Sequence, residues 1–298
     1  MKSTTLTIFC ITAFINIYSQ DKIVKELQIA GTRPIQSLDS NGWKFSGAFL
    51  LNLNQSVLNN WASGGEKSVL GANAIFNYTV NFRHGRNTWD NYFDLALGFQ
   101  NATSFGKFRK IDDRIDITSK IGHQVNPYWY IGALSNFNSQ SLPGYEYTAK
   151  GEEKISSFLT PGKITLSAGL DYKTNKRFSL FTSPVTIRWI LKEDPDFYTV
   201  SKFGIDSASI SNIEVGSFVT AKFSAAFTKW ASYRGRIDLF SNYKRNPENV
   251  DVLMNNLLTM KFTKVLATNI SLDLVYDDDI KKRLQLKEIL GVGLTVRL

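Results

Sequence analysis

The chain has 298 residues, of which 43% are hydrophobic and 20% are charged, and its formal net charge at pH 7 is +9. This composition excludes a disordered or low-complexity chain, because it supplies enough apolar surface for a folded domain. Lys and Arg residues are spread along the chain, often next to Asp or Glu, and form no basic run. We therefore predict no nucleic-acid partner, and a surface beside anionic lipid head groups fits the charge better.

The N-terminal residues have the pattern of a secretory signal peptide. Lys2 precedes an apolar stretch, residues 6–18, which is too short to span a bilayer as a permanent helix. We predict a signal peptide over residues 1–20, followed by a periplasmic segment over residues 21–42. Removal of the signal peptide would also remove Cys10, so disulfides and cysteine-based metal sites are not expected. A lipoprotein anchor at Cys10 is disfavoured because the apolar stretch continues beyond it.

The rest of the chain alternates apolar and polar residues over segments of ten or more residues, which is typical of β-strands. Within residues 89–100, for example, Trp89 and Phe93 fall on one face, while Asp90 and Asp94 fall on the other. The predicted strands are residues 43–55, 68–83, 88–101, 112–125, 128–140, 157–173, 178–191, 211–225, 230–243, 250–263, 266–277 and 284–298. Their number is even, as in single-chain bacterial membrane barrels.

Loop lengths and aromatic positions favour a membrane barrel. Short connections such as residues 84–87 alternate with long ones such as residues 141–156 and 192–209, as in barrels with short periplasmic turns and long outer loops. Aromatic residues recur at both ends of the segments, where a bilayer favours amphipathic rings. We predict an all-β fold, a transmembrane antiparallel up-and-down β-barrel of about 12 strands over residues 43–298, located in the cell outer membrane. A soluble β-sandwich or barrel is the alternative, since it also alternates.

Several stretches resemble a known family. They are NWASGG at residues 60–65, NFNSQSLPGY at 136–145, ISSFLTPG at 155–162, LFSNYKRNPEN at 239–249, LVYDDDI at 274–280 and LQLKEILGVGLTVRL at 284–298. Together they are similar to the family of domain of unknown function 3078, over nearly all of the chain after about residue 40. The resemblance implies an outer-membrane barrel of certain Gram-negative bacteria, and it supplies no catalytic residues. One departure is Leu298, where a bacterial barrel often ends on an aromatic residue.

The face opposite the apolar one carries charges of both signs, and in a membrane barrel this face lines the lumen. The predicted lumen-lining residues are Asp90, Asp94, Arg114, Asp116, Lys120, Lys163, Asp171, Arg188, Asp273, Lys287 and Arg297. Unpaired charges in a narrow interior are costly, so these residues are expected to pair across strands. Two alternatives stay open: a salt-bridged interior that holds the barrel shut, and a water-filled pore lined with charge.

One predicted outer loop contains a candidate ligand site formed by Trp61, Gly64 and Gly65. The loop lacks the spacing of a phosphate-binding loop. The glycines are explained as well by a tight turn that needs positive φ angles. Trp61 could fold over the mouth of the barrel or stack on a ligand.

Two further groups are weak candidates for chemistry. Asp277, Asp278 and Asp279 are adjacent carboxylates of a type that hard cations prefer, but the spacing is not that of an EF-hand, and a solvated or salt-bridged turn explains them as well. His84 and His123 have no serine or carboxylate that the sequence places nearby on the same face, which argues against a catalytic triad. We therefore predict no catalytic residues, no metal and no cofactor.

The predicted barrel leaves three functions to compare. The first is a channel or passive transporter for small solutes, favoured by barrel size alone. The second is a closed structural barrel whose outer loops bind a partner or a surface polymer. The third, a membrane-embedded hydrolase, lacks a catalytic constellation, so we expect no enzyme. The expected partners are outer-membrane lipid and the barrel-insertion machinery during biogenesis, with the solute or surface partner open.

Overall fold

The structure is a computed structural model that describes residues 41–57, 67–148, 151–174, 177–263, 265–277 and 281–297. The described strands are β1 (Gly42–Val57), β2 (Ser68–His84), β3 (Asn87–Ala102), β4 (Arg109–Gln124), β5 (Trp129–Ser139), β6 (Gly144–Thr148), β7 (Gly151–Ser156), β8 (Gly162–Thr174), β9 (Phe178–Leu191), β10 (Ser211–Ala226), β11 (Ala231–Asn242), β12 (Val250–Lys261), β13 (Leu266–Asp277) and β14 (Lys281–Arg297). A short 3-10 helix covers Pro195–Phe197. In this part of the chain, no helix is long and apolar enough to cross a membrane.

Twelve of these strands form one closed antiparallel barrel. Strands that follow one another in the chain are paired, except that β5 pairs with β8. The last strand closes the barrel against the first, with Ala48 opposite Arg297 and Leu53 opposite Val292. The prediction of an up-and-down barrel of about 12 strands is therefore confirmed. Closure leaves no unpaired sheet edge, which a strand within hydrocarbon could not tolerate.

The connection between β5 and β8 differs from the prediction. Residues 141–156 were expected to be loop, but β6 and β7 pair there as a separate two-stranded hairpin. The predicted strand over residues 157–173 was also wrong at its start, since β8 begins at Gly162. The hairpin strands, GYEYT and GEEKIS, are only five and six residues long. Tyr145 and Tyr147 share one face of the first, but GEEKIS is mostly charged, so the pair shows no long apolar alternation. Pro161, which has no N–H to donate to the ladder, precedes the true start of β8.

The two faces of the wall have opposite character. On β8, the side chain of Leu166 is 51% exposed, whereas its neighbours Thr165 and Ser167 are 8% and 5% exposed. On β14, Leu290, Val292 and Leu294 are likewise exposed. The outside is therefore apolar and the inside polar, which is the reverse of a water-soluble barrel. This arrangement fits a bilayer and excludes the soluble alternative.

A bulge in β9 decides which of its residues face inward. Ser183 and Thr186 are both buried although they are three residues apart, and the register with β8 and β10 shifts at this point. Pro184 lies in the bulge, where no ladder hydrogen bond from its nitrogen is needed. The carbonyl of Pro184 accepts a hydrogen bond from the Tyr243 hydroxyl at 2.8 Å. Beyond the bulge, Arg188 faces the lumen.

The barrel has two distinct ends. Short connections, such as that between β2 and β3, lie at one end, here named the turn end, and the hairpin of β6 and β7 lies at the other, the loop end. At the turn end, the ring centroid of Trp43 lies 4.7 Å from that of Phe82 and 5.9 Å from that of Trp89. The rings of Trp129 and Tyr172 lie 4.8 Å apart. These outward aromatic pairs form the kind of girdle that barrels place at a membrane interface.

Candidate functional site: the charged lumen

Near the middle of the lumen, Arg114 reaches across from one side of the barrel to the other. Its Nε and Nη2 contact the two carboxylate oxygens of Asp94, each at 3.2 Å. Its Nη1 contacts Asp273 at 3.2 Å, although β4 and β13 are not neighbours in the barrel. Asp273 also accepts hydrogen bonds from Asn255 at 2.9 Å and from Lys287 at 2.9 Å. This set of charge-assisted contacts, the Arg114 septum, crosses the lumen.

A second crossing at similar depth is made by Arg236 from β11. Its Nη1 contacts Asp116 on the distant strand β4 at 3.0 Å. Its other nitrogens hold Asp238 on its own strand, at 2.9 Å and 2.5 Å. Asn136 donates to the remaining oxygen of Asp116 at 2.6 Å. Because each carboxylate meets several donors, the cost of its burial is offset locally.

The loop-end half of the lumen carries four further ion pairs. Arg188 contacts Glu214 and Asp251, each at 2.6 Å, and its guanidinium stacks 3.9 Å from the centroid of the Phe240 ring. Lys163 contacts Asp277 at 2.5 Å across the barrel. In addition, Lys287 contacts Asp112 at 2.7 Å, again between strands that are not neighbours.

The turn-end half is held by a chain of buried lysines and aspartates. Lys120 pairs with Asp171, and both side chains are almost fully buried. Lys173 contacts Asp171 at 3.4 Å and Asp90 at 3.1 Å, and its ammonium lies 4.4 Å from the ring centroid of Tyr130. These contacts join β3, β4 and β8 on the inside of the wall.

Three cavities follow one another along the lumen and become smaller toward the turn end. The first, here named the vestibule, has a volume of about 490 Å³ and lies at the loop end. The second, the central cavity, is about 80 Å³ and shares Arg114, Asn255 and Asp273 with the vestibule. The third is about 10 Å³ and shares Lys222 and Arg236 with the central cavity. Neighbouring cavities are therefore separated by the side chains that cross the lumen.

The vestibule and the central cavity differ in charge. Six carboxylates and four cations line the vestibule: Asp113, Asp116, Asp238, Asp251, Asp273 and Asp277, with Arg114, Lys163, Arg188 and Lys287. Two carboxylates and four cations line the central cavity: Asp94 and Asp273, with Arg114, Lys222, Arg234 and Arg236. The sign of the net charge thus changes between the two cavities, at the Arg114 septum.

Most of the lumen-lining residues predicted from sequence lie in these networks. The structure brings together Asp90, Asp94, Arg114, Asp116, Lys120, Lys163, Asp171, Arg188, Asp273 and Lys287 as ion pairs inside the barrel. The Cα of Arg297 pairs with Ala48 in the wall, and its side chain lies outside what the structure describes. That these eleven residues line a conducting path stays a prediction.

The other sequence candidates are less informative. Trp61, Gly64, Gly65, Asp278 and Asp279 lie outside the described residues. Within the described ranges, no group of three or more His, Cys, Asp or Glu side chains is arranged to hold a metal ion. His123 contacts Asn87 at 2.8 Å in an exposed position, and His84 is exposed. Neither histidine contacts a serine or a carboxylate of the described chain, so no triad is formed there.

Sequence reasoning missed an important group of lumen residues on β10, β11 and β12. Arg234, Arg236 and Asp238 occupy alternate positions of β11 and face inward, and Glu214 and Asp251 hold Arg188. The signal was present, because charges recur at every second residue from 234 to 238. The outer face there includes Tyr233 and Gly235, so its apolar alternation is weak and the inward face was not assigned.

The connections at the loop end are tied to one another by ion pairs. Lys154 of the hairpin contacts Asp194 at 2.5 Å and Asp196 at 2.9 Å, and hydrogen bonding to these carboxylates raises the pKa of Lys154. Lys107 contacts Glu152 at 2.6 Å. The connection from β9 to β10 folds back on the barrel, since its Phe203 and Ile205 pack on the inward-facing Ile190.

The buried ammonium of Lys192 fastens the same connection. It donates to the carbonyls of Val200 at 2.9 Å and Asp206 at 3.1 Å. The side chain is fully buried, so both hydrogen bonds compensate for the loss of water around the charge. Together with the ion pairs of Lys154, these contacts hold a folded cap beside the vestibule.

Comparison with solved structures finds membrane barrels at low similarity. An outer-membrane channel from Pseudomonas putida F1 is 12% identical, with 87% of this chain and 95% of that chain covered and a TM-score of 0.38. The translocator domain of the autotransporter NalP from Neisseria meningitidis is 10% identical, with 94% of each chain covered and a TM-score of 0.37. The toluene transporter TbuX from Ralstonia pickettii is 10% identical, with 87% and 90% covered and a TM-score of 0.30. At such scores, the fold rests on the strand pairing of this chain itself.

Comparison with families is more specific. No curated protein matches the chain. The model of the family described as protein of unknown function (DUF3078) matches residues 53–145, which run from the end of β1 into β6. This match confirms the predicted family resemblance over residues 53–145, which contain two of the six stretches quoted above. Over the rest of the chain, the resemblance stays a prediction. The chain is thus similar to this family over residues 53–145.

Proposed function

We propose that the protein resides in the outer membrane and acts there as a narrow channel for small polar solutes. The location is supported by the apolar outer face and the aromatic girdle at the turn end. A surface with so many exposed large apolar side chains would aggregate in water, whereas hydrocarbon favours it. The family resemblance points to the same membrane.

The channel proposal is carried by the series of cavities. They lie inside a closed wall, and each shares lining residues with the next. Charged and amide side chains line the vestibule and the central cavity, and such linings interact with hydrated solutes. A barrel filled only to hold its shape would have no need of a vestibule of about 490 Å³.

Passage through this lumen is restricted. The Arg114 septum separates the vestibule from the central cavity, and Arg236 borders the next step. Solutes therefore pass by displacing or exchanging charge-assisted contacts, which gives a much lower flux than in an open porin. The proposed solutes are small and polar, because the central cavity is about 80 Å³.

Planar-bilayer recording of the purified, refolded barrel tests the proposal. We expect small single-channel conductance from the wild type and a several-fold increase from Arg114→Ala. The substitution removes the septum, while Asp94 keeps a hydrogen bond from Asn77 at 2.8 Å and Asp273 keeps Lys287. Lys107→Ala is the matched control, since it removes a cation from an exposed loop pair. Equal conductance of Arg114→Ala and the wild type would contradict the proposed path.

A second function, a closed barrel whose outer loops bind a partner, is favoured by one observation. Ion pairs of Lys154 and Lys107 join the hairpin to its neighbouring loops, so the loop end presents a preorganised surface. This function predicts no conductance from either the wild type or Arg114→Ala, although both insert into the bilayer.

A further inference from the structure

The central cavity holds more cationic than anionic groups, and its carboxylates are already engaged. Asp94 uses both oxygens to bind Arg114. Asp273 is shared by Arg114 and Lys287. Arg236 is held by carboxylates that do not line this cavity, Asp116 and Asp238. Lys222 lies over the ring of Tyr92, so the fourth cation, Arg234, is the one whose partners remain to be described.

Arg234 extends from β11 into the lumen toward β2 on the far side of the barrel. Its Nη1 donates one long hydrogen bond, 3.4 Å, to Oδ1 of Asn77. No carboxylate of the described residues lies within ion-pair distance of its guanidinium. A guanidinium has five N–H donors in a planar fork, so most of its donors point into the cavity without a protein acceptor in the described chain.

A second donor lines the same cavity. Tyr92 faces inward from β3, and the Lys222 ammonium lies 4.7 Å from the centroid of its ring. The Tyr92 hydroxyl makes no hydrogen bond to any residue that the structure describes. Asp94, which is bound to Arg114, and the cations Arg234 and Arg236 are all near enough to act on it electrostatically. The cavity thus brings together a guanidinium and a hydroxyl, both able to donate.

We propose that the central cavity binds a small oxyanion, with inorganic phosphate or sulfate as the simplest members of the class. The fork of Arg234 matches the oxygen pairs of such an anion, and the Tyr92 hydroxyl supplies a further donor. A volume of about 80 Å³ holds several water molecules, so it holds a small oxyanion with part of its hydration. The anion neutralises Arg234 in surroundings where an unpaired charge is costly.

This site requires the folded barrel but not a conducting path, so it stands apart from the channel proposal. Phosphate binding at this site is measured by isothermal titration calorimetry. The full-length chain in detergent micelles is titrated with sodium phosphate at constant ionic strength. We expect one phosphate per barrel and at least a tenfold weaker affinity for Arg234→Gln. Tyr92→Phe should weaken binding several-fold, because it removes one donor and leaves the ring under Lys222.

Arg86→Gln is the matched control, since it removes the same charge from an exposed turn and should leave the affinity unchanged. Circular dichroism checks the fold of each variant. If Arg234→Gln does not fold, Arg234→Lys, which keeps the charge and loses the fork, and Tyr92→Phe carry the test. The proposal is overturned if the wild type binds no phosphate, or if the affinities of the Arg234 and Tyr92 variants equal that of Arg86→Gln.

Discussion

The two halves of the lumen use similar lysine, arginine and aspartate side chains in opposite ways. In the loop-end half, ion pairs line a cavity of about 490 Å³, and the Lys287 side chain is 36% exposed to it. In the turn-end half, Lys120 and Asp171 are almost fully buried beside a cavity of about 10 Å³. Lys287 can therefore exchange its contacts with water or solute, whereas Lys120 and Asp171 form a dry clamp.

The neighbours of each pair explain the difference. In the turn-end half, Leu134 and Phe181 pack together inside the barrel and flank Lys120, whose ammonium lies 5.7 Å from the centroid of the Phe181 ring. In the loop-end half, polar residues such as Asn138 alternate with apolar ones such as Phe240, and a cavity of about 490 Å³ lies beside the ion pairs. Apolar neighbours exclude water and strengthen a charge pair, but they make the loss of one partner far more costly. Position along the lumen, and not residue type alone, therefore decides whether a charge lies beside an open cavity or is sealed from water.

The largest effect is expected at the dry clamp. Asp171→Asn leaves the Lys120 ammonium buried beside a neutral amide, and we predict a loss of about 3–5 kcal/mol in the free energy of unfolding. Urea unfolding of the barrel in lipid vesicles, followed by tryptophan fluorescence, measures the loss. The double variant Lys120→Met with Asp171→Leu removes both charges and should recover part of the stability. If Asp171→Asn lowered the free energy of unfolding by less than 1 kcal/mol, water would have to reach Lys120 in the turn-end half.

The second-largest loss of stability is expected on the outer face of the barrel wall, which surrounds both halves of the lumen. Leu166 lies near the middle of β8 with its side chain outward, so Leu166→Arg places a charge in hydrocarbon. For this variant in lipid vesicles, we expect the free energy of unfolding to fall by about 2–4 kcal/mol. The control is Val200→Arg, at an exposed position in the connection from β9 to β10. It should change the free energy of unfolding little, because most substitutions at water-exposed positions do so. Equal stability of the two variants would be incompatible with a membrane-facing wall at Leu166.

The barrel itself was predictable from sequence because its physical signal is local. In β3 and β8, apolar residues recur at nearly every second position, from Trp89 to Phe99 and from Ile164 to Tyr172, and this pattern needs no knowledge of distant contacts. The hairpin of β6 and β7 was missed for the converse reason, since it lies outside the barrel wall and buries neither face in lipid. Its strands of five and six residues are too short to show the long apolar alternation that marks the barrel strands.

The contacts within the lumen were not predictable in the same way. Alternation places Arg114 and Asp273 on the inward face, but they are 159 residues apart. Their meeting depends on barrel closure and on the stagger of the strands, which the sequence pattern of a single strand does not contain. The excess charge at Arg234 is harder still to predict from sequence, because it is recognised only when the partners of Arg114 and Arg236 are known.

The smallest effect is expected at Lys287 in the loop-end half, the partly exposed partner of the buried Asp112. Lys287→Met removes a cation that contacts Asp112 and Asp273, but Asp112 keeps a hydrogen bond from Asn73 at 2.9 Å, and Asp273 keeps Arg114. Because the vestibule screens the exposed lysine, we predict a loss of about 0.2–1 kcal/mol in the urea experiment used for Asp171→Asn. Raising the salt concentration should reduce the difference between Lys287→Met and the wild type but leave the loss in Asp171→Asn nearly unchanged. If both variants lost the same free energy with the same salt dependence, the two halves of the lumen would be electrostatically alike, and the vestibule would have no advantage as a path for solutes.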